Sequence, residues 1–162
     1  MNCRAMGLVL CLAVSFLGLS ACSSTAVKVQ QSKDPAFLMQ ILTTEKAEWL
    51  VDDAARGLGR ISHAAAIPAL IAIVSDPNAG HRRRAGAAWA LGQMKDLKAV
   101  VPLASALDRA SDPEERFAIV EALGRIPNAE AKAALEAMKN DSDEMVAKAA
   151  RKGLKTIGEV AP

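Results

Sequence analysis

The amino-acid sequence predicts an all-α fold, a short solenoid of about four helix pairs, and three observations carry that prediction. Alanine supplies 33 of the 162 residues, and 30 of those lie at or beyond Cys22. Only three Phe, two Trp and no Tyr occur, so the core must be built from aliphatic and small side chains. Strands of sandwiches and barrels draw on β-branched and aromatic residues, whereas alanine suits closely packed helices. The third observation is self-similarity: Leu-Gly pairs begin at Leu58, Leu91 and Leu123, at spacings of 33 and 32, and Leu154 follows after another 31. A fixed period of this length marks stacked supersecondary units.

Met1 to Arg4 form a short, weakly positive start, and Ala5 to Leu19 are almost wholly apolar. At roughly 15 to 17 residues this run matches a signal-peptide core and is short for a membrane-spanning helix, which needs about 20. Residues 1–21 are therefore expected to be a cleaved leader. Its end, Leu19-Ser20-Ala21-Cys22, resembles the lipobox of bacterial lipoproteins. The small side chains of Ser20 and Ala21 leave the backbone open to a peptidase, and the Cys22 thiol can take a diacylglycerol. The resemblance implies thioether lipidation of Cys22, cleavage before it and acylation, palmitate included, of the new amine. Two or three acyl chains, at about 0.8 kcal/mol per buried CH₂, hold a protein on a membrane without spanning it. In a Gram-negative host, Ser23 after the cysteine implies the outer membrane, facing the periplasm.

Residues 22–34 are expected to be the lipidated N-terminus and a flexible tether, because Ser23 to Asp34 are polar and lack a hydrophobic period. Twelve extended residues reach at most about 40 Å. Cys3, Cys11 and Cys22 are the three cysteines, so the remaining 140 residues offer neither a disulfide nor a thiolate metal site.

The repeat domain is expected over 35–158. Phe37 to Leu42, Ile67 to Val74, Val100 to Leu107 and Ala131 to Met138 supply the first helix of each pair. The second helices are expected at 45–60, 81–93, 114–126 and 143–157. Asp76 and Asp112 are placed to cap the helices after them, with Pro77 and Pro113 in first turns. Gly59, Gly92 and Gly124 are expected at helix C-termini. Leu58, Leu91, Leu123 and Leu154, with Ile61, Met94, Ile126 and Ile157 three positions later, form an aliphatic spine.

The Asp-Pro turns, Arg84 and Arg116 seven residues before Leu91 and Leu123, the alanine runs and the Leu-Gly pairs resemble HEAT-like repeats of the short bacterial type also found in phycobilisome lyases. The resemblance covers about residues 35–157 and implies a right-handed α-α superhelix. Val51 and Ala147 stand where the matching Arg would, and Lys155 replaces the last Gly. Such irregular terminal repeats are expected of caps. Function does not follow from the fold, because such arrays serve unrelated tasks.

Candidates for catalysis are scarce. His63 and His81 are the two histidines, both expected in loops. HEAT-like iron hydroxylases carry repeated His-Glu pairs, whereas Ala64 and Arg82 follow these histidines. The acid pairs Glu114-Glu115 and Asp143-Glu144 suit first helical turns, where carboxylates meet the macrodipole. Asp52-Asp53 is mid-helix and carries the alternative reading of an enzyme or enzyme accessory acting on the cell wall or a cofactor. No cofactor or metal is expected.

Losing Arg4 with the leader turns 20 basic and 18 acidic side chains into 19 and 18, a balance of +1, so steering toward nucleic acid is not expected. The run His81-Arg82-Arg83-Arg84 is the sharpest charge feature. Arg84 is expected to reach the Asp of its own turn. Arg82 and Arg83 carry a third reading, a structural spacer bound to anionic lipid or polysaccharide. In HEAT-like arrays the second helices line the inner surface. Helical phase then makes Arg56, Trp89, Glu121 and Lys152 one row, with Phe117 in the neighbouring row and Arg60 and Arg125 one turn further on. These seven residues are the expected contact surface for an unidentified envelope protein, Trp89 and Phe117 being residue types enriched at binding hot spots. The leading expectation is a lipid-anchored, non-catalytic scaffold or adaptor.

Overall fold

The computed structural model describes residues 20–160, the side chains of residues 20–24, 26 and 160 excepted. Nine α-helices, two single turns of 3-10 helix and no strand occur among them. The leader expected over 1–21 lies outside these residues but for the backbone of Ser20 and Ala21, as does the side chain of Cys22.

Eight helices form the four pairs. The pairs are α2 (Pro35–Thr44) with α3 (Glu48–Arg60), α4 (Ile67–Ser75) with α5 (His81–Met94), α6 (Val100–Leu107) with α7 (Pro113–Leu123), and α8 (Ala129–Met138) with α9 (Glu144–Val160). The array is an all-α solenoid. Local chemistry sets the starts. Asp34 accepts from the Ala36 amide at 3.0 Å ahead of Pro35, and Asp112 accepts from the Glu115 amide at 3.0 Å ahead of Pro113. Asn128 does the same for Glu130 at 2.7 Å, and Asp143 for Met145 at 2.8 Å. Asp76 departs from this pattern. It accepts from the Asn78 amide at 2.9 Å and folds its own turn, leaving Gly80 at the start of α5, so Pro77 lies in the turn and not in the helix.

The spine leucines Leu58, Leu91 and Leu123 are fully buried, as are Leu38, Leu70, Leu103, Ile119, Ile126 and Leu135. Leu154, in the last repeat, is half-buried, as expected of a cap.

The Leu-Gly glycines do not end helices in a left-handed conformation. No described glycine has a positive φ; that geometry belongs to Ser62 (φ 51°) and Lys95 (φ 53°), 33 residues apart. Ser62 completes a Schellman motif: its N–H donates to Gly59 at 3.1 Å and the His63 N–H to Leu58 at 3.1 Å. The glycines instead mark where consecutive second helices touch. A Cβ at Gly59 would stand 2.8 Å from the Ala90 Cα, one at Gly92 2.6 Å from the Ala122 Cα, and one at Gly124 2.9 Å from the Gly153 Cα. Each missing methyl lets the next helix in.

Arg84 does not pair with Asp76. Its guanidinium clamps Glu115 of the next repeat at 2.6 and 2.8 Å and also donates to the Ala79 carbonyl of its own turn. Arg116 repeats the arrangement, reaching Asp141 at 3.1 and 3.2 Å and the Ser111 carbonyl at 2.9 Å. Glu115 is 1% exposed, and its charge is matched by a bidentate partner. Burial pushes the Asp141 carboxyl up, but the Asp143 amide and Arg116 outweigh it and hold it below the usual aspartate value.

The segment 22–34 also departs from expectation. A helix, α1 (Ser20–Gln31), occupies most of it and packs on α3. Val29 is fully buried, Gln30 donates to Asp53 at 3.2 Å, and Arg60 donates to the Gln30 carbonyl at 3.1 Å.

Candidate functional site

The second helices stack in the order α3, α5, α7, α9, with extensive contact from each to the next. Between α7 and α9 their solvent side opens into a groove of about 350 Å³. Phe117 and Glu121 come from α7, one turn apart, and Arg125 follows the helix end. Lys148, Lys152 and Thr156 line the facing side at four-residue intervals on α9, and Lys95, the left-handed residue closing α5, completes the rim. Gly124 and Gly153, in near contact, close the floor.

Phe117 is half-buried and packs on the core, so the groove has an apolar base. Its rim is cationic. Glu121 is the one carboxylate among the lining residues, and it is held by Arg125 at 3.2 Å. Four of the seven expected contact residues, Phe117, Glu121, Arg125 and Lys152, therefore meet at this one place.

The other three lie toward the first repeats. The Arg56 guanidinium stacks over the Trp89 ring, 5.5 Å from its centroid, while its Nε donates to Asp52 at 2.7 Å. Trp89 is half-buried; its ring edge lies over Gly59, where a Cβ would stand 3.2 Å away, and not over Gly86. Gly86 is covered by Asp52. Arg60 is exposed and engaged with α1 through the Gln30 carbonyl.

Asp52 and Asp53 face different partners, Arg56 and Gln30, and neither lines the α7–α9 groove. Burial pushes the Asp52 carboxyl up, against the opposing pull of Arg56. Arg82 is exposed, and the Nε of half-buried Arg83 is buried with no hydrogen-bond partner among the described residues. His63 precedes a 3-10 turn, and His81 opens α5 instead of lying in a loop. Among the described residues, no three His, Cys, Asp or Glu side chains converge as metal ligands would, and no helix is long and apolar enough to cross a membrane.

Lys95 and Thr156 were not among the expected contact residues. Lys148 stands one turn before Lys152, a same-face spacing readable from sequence, whereas Lys95 lies past the end of α5 with a left-handed backbone and shares no helical row with the other lining residues.

A family model described as HEAT repeats matches residues 35–114 and, in a second placement, 83–155. The chain belongs to the HEAT-repeat family. Those matches run from the start of α2 into α9, touching all four helix pairs, and leave α1 outside them. The solved structure of human deoxyhypusine hydroxylase in complex with glycerol is similar to this HEAT array, with a TM-score of 0.63 and 26% identity. The alignment covers 80% of this chain and 45% of the human one, so the array spans less than half the length of that protein. No curated protein matches significantly.

Proposed function

We propose that this chain is a lipid-anchored envelope protein that holds a segment of another protein against its second helices and catalyses nothing. The observation that carries the reading is the groove between α7 and α9, where an aromatic base is rimmed by Arg125, Lys148 and Lys152. Phe and Arg are side chains that dominate binding energy at protein interfaces or are enriched there. The stacked pair Arg56 and Trp89 extends the surface toward the first repeats. The lipobox at Leu19 to Cys22 supports anchoring through Cys22 and, in a Gram-negative host, an outer-membrane location facing the periplasm. The short bacterial, phycobilisome-lyase type of HEAT repeat is the subclass that the Asp-Pro turns suggest.

Crosslinking in native membranes, with wild type compared to Trp89→Ala and Phe117→Ala, tests the scaffold. A partner captured by wild type and lost from either variant is expected; identical profiles from folded proteins would remove the proposed surface. Mass spectrometry of the native protein is expected to find Cys22 carrying lipid, and an unmodified Cys22 thiol would remove the anchor.

A second reading, an enzyme or enzyme accessory, is favoured by the similarity to deoxyhypusine hydroxylase and by the partly buried Asp52. Stoichiometric metal in the purified protein, lost on Asp52→Asn and Asp53→Asn substitution, would support it over the scaffold.

A further inference from the structure

We infer that the α7–α9 groove takes an acidic peptide segment, two carboxylates at alternate positions flanking one apolar side chain. The inference rests on the scaffold reading and names the chemistry of its partner. Lys95, Arg125, Lys148 and Lys152 bring four cations to the groove, and Glu121 brings one anion. Glu121 is taken by Arg125, which leaves the three lysines, and none of them forms an ion pair among the described residues. Three like charges around an apolar base are an unfavourable arrangement that an anionic occupant relieves.

Spacing narrows the occupant further. Lys148 and Lys152 lie one turn apart on α9, about 6 Å along the helix axis. Alternate side chains of an extended peptide lie about 6.6 to 6.8 Å apart on one face. Two acids separated by one residue therefore match both lysines, while the residue between them, pointing the other way, is free to turn toward Phe117. The volume of about 350 Å³ accepts one anchoring side chain with its adjoining backbone. A bilayer surface presents anions too, but spread over a plane, whereas these cations line two facing sides of a groove whose base is the half-buried Phe117.

Fluorescence anisotropy with the full chain tests this. The probes are a labelled peptide with a central Glu-Leu-Glu in a Ser/Gly background, its Gln-Leu-Gln analogue, and phosphatidylglycerol vesicles as competitor. The Glu peptide is expected to bind at least about tenfold tighter than the Gln analogue, and the exposed pair Lys148→Gln/Lys152→Gln to lose about tenfold with unchanged circular dichroism. Phe117→Ala is expected to weaken both peptides. Equal affinity for the two peptides, no detectable binding of the Glu peptide, or wild-type affinity in the double variant would overturn the inference. Vesicles that displace the peptide and are themselves retained through Lys148 and Lys152 would reassign the groove to lipid. A partner crosslinked through Phe117 that lacks any acidic segment would keep the scaffold and discard this peptide chemistry.

Discussion

Gly92 of α5 and Ala122 of α7 stand so close that a methyl group added at Gly92 would lie 2.6 Å from the Ala122 Cα. The neighbour is backbone, so it cannot rotate away. In an exposed helix interior, glycine to alanine gains about 1 kcal/mol. Here overpacking outweighs that gain, and Gly92→Ala is expected to destabilise by about 1–3 kcal/mol in denaturant unfolding. Gly158, in α9 with nothing within 4 Å of its added methyl, is the control. Gly158→Ala is expected to be neutral or to stabilise by up to about 1 kcal/mol, and a stabilised Gly92→Ala protein would contradict the contact.

Ser62 holds a left-handed backbone that glycine adopts without a Cβ penalty. Its side chain is exposed. Ser62→Gly is expected to raise stability by about 0.5–1 kcal/mol, read as a higher denaturation midpoint at unchanged slope. A lowered midpoint would show that the hydroxyl matters more than the backbone.

Arg84 and Glu115 join two repeats through a nearly buried ion pair. Removing one partner leaves the other charge buried. Arg84→Ala and Glu115→Ala are each expected to cost about 3 kcal/mol or more, and the double variant less than their sum. Strict additivity would indicate that the pair contributes no coupling.

Asp141 has a folded-state value held below that of the unfolded chain. Its ionised form therefore adds stability above the ordinary aspartate value, near pH 4, and that contribution is lost as pH falls through the lower folded value. Asp141→Asn is expected to be about 1–2 kcal/mol less stable than wild type at pH 7. The gap should close progressively in acid below about pH 4. A gap that stays constant down to pH 3 would assign it to shape instead of charge.

The four helix pairs were legible because their signals are local: capping at Asp112, the period of the leucines, and alanine content. What escaped depends on contacts across the chain. Glycine two residues before a helix end looks the same whether it relaxes the backbone or admits a neighbour, and only the approach of Ala122 to Gly92 separates these uses. Arg84 has an acid in its own turn, yet the clamp partner lies 31 residues on. The helix α1 announces itself by no apolar period; among its described side chains Val29 is buried, and Gln30 makes polar contacts with Asp53 and Arg60. At the groove, helical phase aligned Phe117 and Glu121 with Lys152, but Lys95 follows the end of α5, outside any helical row that phase could extend.

The glycine contacts also bear on how the array bends. The second helices meet through Gly and Ala at Gly59, Gly92 and Gly124, whereas the first helices touch one another less. A stack of units narrower on one side than on the other is a row of wedges, and its arc turns toward the narrow side. At the α7–α9 groove the missing atoms are those of Gly124 and Gly153, where an added methyl would stand 2.9 Å from the facing Cα: restoring a methyl at either would push α9 from α7 and splay Phe117 from Lys152 without touching either residue.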